Sequence, residues 1–140
     1  MLLLESGTKT IGGNMRNKYG NRKCQWNGLT FDSKHEMERY KDLYFLQKAG
    51  DIKNLRTQVA FMLIPEQRET SHELYKAGPH KGEKKPGKLL ERKCEYIADF
   101  VYLDNNGELV VEDAKGMHTK EYLIKRKLML YMHKIKIVEV

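Results

Sequence analysis

The chain has little of what secreted or metal-stapled small proteins depend on. Only two cysteines, Cys24 and Cys94, stand among its 140 residues, and neither has a Cys-x-x-Cys partner. A disulfide framework and a cysteine zinc site are both excluded, and two reduced thiols of a cytoplasmic protein are expected. No apolar run approaches the ~20 residues that a membrane-spanning helix needs. The opening MLLLESG is too short and wrongly flanked for a signal peptide. Proline is scarce, and Pro65, Pro79 and Pro86 all border or lie in one segment. The histidines His35, His72, His80, His118 and His133 show no ligand spacing, and only His118 is close to a motif described below. Acid is missing from Gly7 to Thr30, where Lys9, Arg16, Lys18, Arg22 and Lys23 are all cationic. We expect residues 1–23 to form a basic, flexible arm, within which Met15 offers a second candidate start. No internal repeat is present.

What remains fits one domain over residues 24–140, long enough to bury a core. Lys plus Arg exceed Asp plus Glu by 26 to 19, a net charge of +7 that favours a polyanionic partner. FDSKHEMERYKDLYFLQKAGD reads as a helix with both ends marked: Ser33 as N-cap, Glu36 at the capping-box spacing and Gly50 after the last turn. LRTQVAFMLI reads as an apolar strand closed by Pro65. Residues 66–92, rich in Gly, Lys and Glu, read as a long exposed loop, with a short helix around ETSHELYKA as an option. A hairpin, CEYIADFVYLDNNGELVVEDAKG, follows; then a helix over Thr119–His133, and IKIVEV as a closing strand. The order helix, strand, hairpin, helix, strand predicts an α/β fold with a mixed sheet and helices packed on it.

The hairpin carries charges where a small sheet should be dry. If Asn105, Asn106 and Gly107 form a three-residue loop, Asp104 faces Glu108 and Asp99 faces Asp113. Lys115, two residues past Asp113, then shares its face. A two-residue loop would pair Asp99 with Glu112 instead. Two neighbouring carboxylates repel, and a divalent cation with a taste for hard oxygen, Mg²⁺ or Mn²⁺, resolves that conflict. The first helix supplies a third acid independently. At ~100° per residue, Glu36 lies on the stripe of Tyr40, Leu43, Tyr44 and Gln47, whereas Glu38 and Asp42 point away.

Glu36 on the first helix, then Asp99, then the triplet Asp113, Ala114, Lys115 resemble the PD-(D/E)xK nuclease superfamily. The phrases FDSKHEMERY, QVAFML, YIADF, VVEDAKG and TKEYLIKRKL are together similar to a phage-associated, endonuclease- or resolvase-like group, from about Lys18 to the C-terminus. Ala98 stands where the superfamily name has proline.

The resemblance implies a restriction-endonuclease-like core, a mixed sheet of about four strands with helices on both faces. It implies Asp99 and Asp113 as metal ligands, Ala114 carbonyl as a further oxygen, Glu36 as a direct or water-mediated ligand and Lys115 as the catalytic lysine. Gln58 is a weaker candidate for the same cavity. Glu112 rivals Asp113 for the acid position, but alternation sets it on the face opposite Lys115. The activity implied is Mg²⁺- or Mn²⁺-dependent hydrolysis of DNA phosphodiesters, on branched or replicating phage DNA in a bacterial cytoplasm. Lys120, Lys125, Arg126 and Lys127, with the lysines of residues 81–93, would contact the backbone of the nucleic acid. Two coordinated cuts would need a homodimer. A binding module that kept the fold without the chemistry is the alternative.

Overall fold

A computed structural model describes residues 22–114 and 117–140. The expected basic arm, save Arg22 and Lys23, lies outside the described residues, as does Lys115.

Chain order is β1 (Cys24–Trp26), β2 (Leu29–Phe31), α1 (Lys34–Ala49), β3 (Lys53–Ile64), β4 (Gln67–Arg68), β5 (Leu89–Glu91), β6 (Cys94–Leu103), β7 (Leu109–Asp113), α2 (Lys120–His133) and β8 (Val138–Glu139). The main sheet runs β3-β6-β7-β8; β7 and β8 pair parallel and the other neighbours antiparallel, so the sheet is mixed as expected. No helix among the described residues is long and apolar enough to cross a membrane.

Local chemistry sets the ends of the elements. Ser33 Oγ accepts the Glu36 N–H at 3.1 Å, and Gly50 closes α1 in the left-handed conformation at φ 84. Thr119 caps α2 in the same manner through the Tyr122 N–H. Gly107, at φ 78, donates its N–H to Asp104 O, and Asp104 N–H donates to Glu108 O. The three-residue loop is therefore the one that forms. Phe100 pairs with Glu112 and Val101 with Val111, and the same register carries Asp99 to the level of Asp113.

Two cores sandwich the sheet. On one side Tyr122 and Met129 of α2 pack with Leu63, Tyr96, Ala98, Val101 and Val111. On the other, Leu43 of α1 packs with Phe31, Ile52, Phe100, Tyr102 and Ala114. Truncating a fully buried residue such as Leu43 or Phe100 would cost ~2–5 kcal/mol. The hairpin β1–β2 turns through Asn27 and Gly28, both at positive φ, the two-residue turn that Asn-Gly favours. It sets Trp26 edge-on against Tyr44, with ring centroids 5.1 Å apart.

Residues 66–92 differ from expectation. No helix forms around ETSHELYKA: so short a stretch, stopped by Gly78 and Pro79, is too small to hold a helix without packing. The segment folds back on itself instead. Glu69 N–H donates to Lys88 O, Lys85 N–H to Glu73 O, and Tyr75 N–H to Glu83 O. With the β4–β5 pair and a bridge between Leu74 and Lys84, these bonds make a two-stranded arm.

Candidate active site

α1 and β3 bring Glu36 and Gln58 together. Glu36 is only 7 % exposed, and its two carboxylate oxygens have separate tasks. Oε2 accepts the Asp32 N–H at 3.1 Å, one residue upstream of the bond that a capping box would make. Oε1 accepts from Gln58 Nε2 at 3.0 Å, and the same amide donates to Asp99 Oδ1 at 3.3 Å. One amide group thus stands between carboxylates delivered by α1 and β6. Burial, and after it the negative charge of Asp99, hold the Glu36 carboxyl above the ordinary glutamate range. A recess of about 230 Å³ opens beside the pair, lined by Phe31, Asp32, Glu36, Thr57 and Gln58 among others.

The backbone at this level is unusual. Gln58 has φ 52, the left-handed region that a side chain with a Cβ occupies only at a cost of ~1 kcal/mol or more. Thr57 still pairs with Phe100, and Val59 with Ala98, so the register does not slip. The faces do exchange. On β3, Leu55 packs in the α1-side core but Val59, Phe61 and Leu63 pack in the α2-side core; on β6, Tyr102 and Phe100 lie on the α1 side but Ala98 and Tyr96 on the α2 side. Strict alternation would keep each set on one face. Both strands turn over where Gln58 meets Asp99, and that turn lets Asp99 share an amide with Glu36.

Asp113 is fully buried and sits among other donors: Tyr96 OH donates to its Oδ2 at 2.6 Å. Burial first, and then this bond, push the Tyr96 phenol far above its ordinary range, so it remains a donor at every working pH. Ala114 links the two acids, because its N–H donates to Asp99 Oδ2 at 2.8 Å. Asp99 and Asp113 are therefore neighbours in register but are held by different donors. Among the described residues, no three His, Cys, Asp or Glu side chains converge closely enough to hold a metal ion.

Glu112 points the other way, as alternation requires. It is 1 % exposed and accepts from Arg39 Nε at 2.9 Å, Arg39 Nη2 at 2.6 Å and Tyr102 OH at 2.6 Å. Its charge is neutralised on the α1 side, which leaves Asp113 as the acid next in sequence to the Ala114 link.

The chain matches a family model over residues 16–139, described as a protein of unknown function (DUF1064). It belongs to that family. No curated protein and no solved structure matches it.

In this DUF1064 chain the cations named from the sequence meet different fates. Arg126 is tied to Glu139 at 2.7 Å, and Lys125 to Glu121 at 3.0 Å. Glu139 also takes His118 at 2.8 Å and the Tyr122 hydroxyl at 3.0 Å, so His118 is bound to the end of β8 rather than to the carboxylate network. Lys127 lines an open recess of about 740 Å³ between α2 and β8, together with Arg126 and Lys136. That recess is larger than the one at Glu36, but its single acid, Glu139, is already in ion pairs. Sequence reasoning did not single out Asp32, Arg39 or Tyr96. Asp32 was visible as an acid just before the N-cap. The partnerships of Arg39 and Tyr96 are long-range and leave no local mark.

Proposed function

We propose that this chain is a metal-dependent DNA endonuclease of the PD-(D/E)xK type. The observation that supports it is the meeting of Glu36 and Asp99, from two separate elements, at a single amide beside a recess, with Asp113 one strand away. Hard carboxylate oxygens of this kind suit Mg²⁺ or Mn²⁺, and the Glu36 carboxyl is raised first by burial and then by repulsion from Asp99, the part that a cation would offset. Asp99, Asp113 and the Ala114 carbonyl, with Glu36 directly or through water, are the groups that would hold it, once Asp113 turned from the Tyr96 hydroxyl toward Asp99. When bound, such an ion lowers the pKa of water and offsets charge on a phosphate.

The chain's own residues do the rest. Gln58 Nε2 donates to both Glu36 Oε1 and Asp99 Oδ1 and so holds the two carboxylates beside each other. The Ala114 N–H fixes the Asp99 carboxylate from behind. The Tyr96 hydroxyl sets the rotamer of Asp113. Lys115, in the position of the superfamily's lysine, would assist the attacking water or balance charge on the phosphate.

Cleavage of labelled linear duplex, single-stranded and four-way-junction DNA, with Mg²⁺, Mn²⁺ or EDTA, tests the reading. Metal-dependent cutting that Asp113→Ala abolishes is expected, and the preferred substrate names the role. No cutting in either metal would reject it. One observation favours the non-catalytic alternative, a nucleic-acid-binding module: Asp113 is held by Tyr96 rather than turned to Glu36 and Asp99. DNA binding that Asp113→Ala leaves intact, without cleavage, would establish that reading.

A further inference from the structure

The recess between α2 and β8 takes no part in the carboxylate network. Leu130, Ile137 and Val138 give it an apolar lining, and Arg126, Lys127 and Lys136 a cationic one. Residues three and four apart adjoin on a helix, which puts Arg126 and Lys127 beside Leu130 on α2. Leu130 is 53 % exposed and Val138 44 %, so apolar surface stands open to water here. Lys127 and Lys136 are exposed and are in no ion pair among the described residues. Arg126 is held in place, with Nη1 2.7 Å from Glu139 Oε1 and its guanidinium over the Tyr122 ring at 6.0 Å. Glu139, the one acid of the lining, also takes His118. Two cations thus stand without an answering charge beside open apolar surface.

The second wall is a sheet edge. β8 has β7 on one side and no strand of the described residues on the other. Just before it, Ile137 is buried in the α2-side core, which anchors the wall. An edge strand offers backbone N–H and C=O groups to a further extended chain.

From this pairing of chemistries we infer that the recess docks a short acidic peptide with large apolar side chains, presented by a partner protein. Its apolar side chains would cover Leu130 and Val138, and its carboxylates would meet Lys127 and Lys136. A nucleic-acid backbone would satisfy the lysines but set charged phosphates over Leu130 and Val138. A second copy of the chain, docked on this face about a twofold axis, would bring Arg126, Lys127 and Lys136 close to their own counterparts. The inference goes beyond the nuclease reading and does not depend on it, since neither Glu36 nor Asp99 lines the recess.

The test uses the full chain and the fluorescence anisotropy of a labelled peptide of about ten residues built from Glu, Leu and Phe, beside all-Glu and Lys-for-Glu versions. Micromolar binding is expected, at least about tenfold tighter than for either control. Lys127→Glu/Lys136→Glu should weaken it at least about tenfold, because two attractions become repulsions. Leu130→Ser, which keeps every charge, should weaken it about threefold or more. All three positions are exposed, so the Tm of each variant should stay near that of wild type. Lys84→Glu/Lys88→Glu, the same change of charge placed on the arm, should leave the peptide bound as before. No binding up to about 1 mM, an equal loss from the two double variants, or binding no tighter than that of the all-Glu peptide would overturn the inference. So would a dimer of the chain that Leu130→Ser dissolves, or a DNA duplex that Lys127→Glu/Lys136→Glu releases while the peptide is unaffected.

Discussion

Arg39 offers a test of how the site is anchored. Its guanidinium grips Glu112 side-on, with Nε to Oε2 at 2.9 Å and Nη2 to Oε1 at 2.6 Å, while Tyr102 OH donates to the same Oε1. Glu112 is 1 % exposed and Arg39 29 %. Removing Arg39 strands a buried carboxylate with one neutral donor. Losing one partner of a buried pair costs ~3–5 kcal/mol; because water reaches the arginine side, we expect about 2–3 kcal/mol for Arg39→Ala. At this chain length that is roughly 8–12 °C in Tm. The double variant Arg39→Met/Glu112→Leu removes the stranded charge along with its partner and should recover most of the loss. Arg39 is three residues, nearly one helical turn, past Glu36, so the pair also fixes the roll of α1 against β7. Urea denaturation of the wild type and the single and double variants checks the order. An Arg39→Ala midpoint within the equivalent of about 0.5 kcal/mol of wild type, or a double variant no better than the single, would refute the argument.

Glu36 gives the opposite sign. Its folded-state pKa is raised, so its contribution to stability is full below the unfolded-state value near 4.5 and is lost as pH rises through the folded-state value. Glu36→Gln should therefore be more stable than wild type at pH 7 to 8, by about 1 kcal/mol, with the difference closing by pH 4; thermal melts across pH would show it. At Gln58 the left-handed backbone predicts that Gln58→Gly is more stable than Gln58→Ala by about 1 kcal/mol, although neither keeps the bridging amide. Equal midpoints for the two would mean that the positive φ is not held in solution.

The parts of the fold written in local chemistry could be read from the sequence. Ser33 and Gly50 bound α1, Thr119 opens α2, and Gly107 sets a register that brings Asp99 level with Asp113. The helical phase of Glu36 was equally readable, since it needs only the ~100° step of an α-helix. Asn27 and Gly28 carried a hairpin signal as strong as that of Asn106 and Gly107. It went unread because the strands beside it are only three residues long. The arm was misjudged for the converse reason: its order comes from bonds such as Glu69 to Lys88, between residues far apart in sequence. No periodicity within ETSHELYKA reports them.

The turnover of β3 and β6 at Gln58 and Asp99 was the least visible feature, yet it shapes the site most. Reasoning by alternation put Asp99 and Asp113 on one face, which is what an unbroken hairpin would do. The left-handed Gln58 breaks that rule at one level, with the pairing on either side intact. In exchange for that strain, an acid from the sheet is brought to the same amide as an acid from α1, and the apolar residues on each side of the break still reach a core. A strand that only needed to be stable would place glycine or asparagine at φ 52, or avoid the conformation. Glutamine there keeps the strain and adds a side chain long enough to touch Glu36 and Asp99 at once. Strain retained together with a polar bridge between two carboxylates is expected where charge is to be held for use.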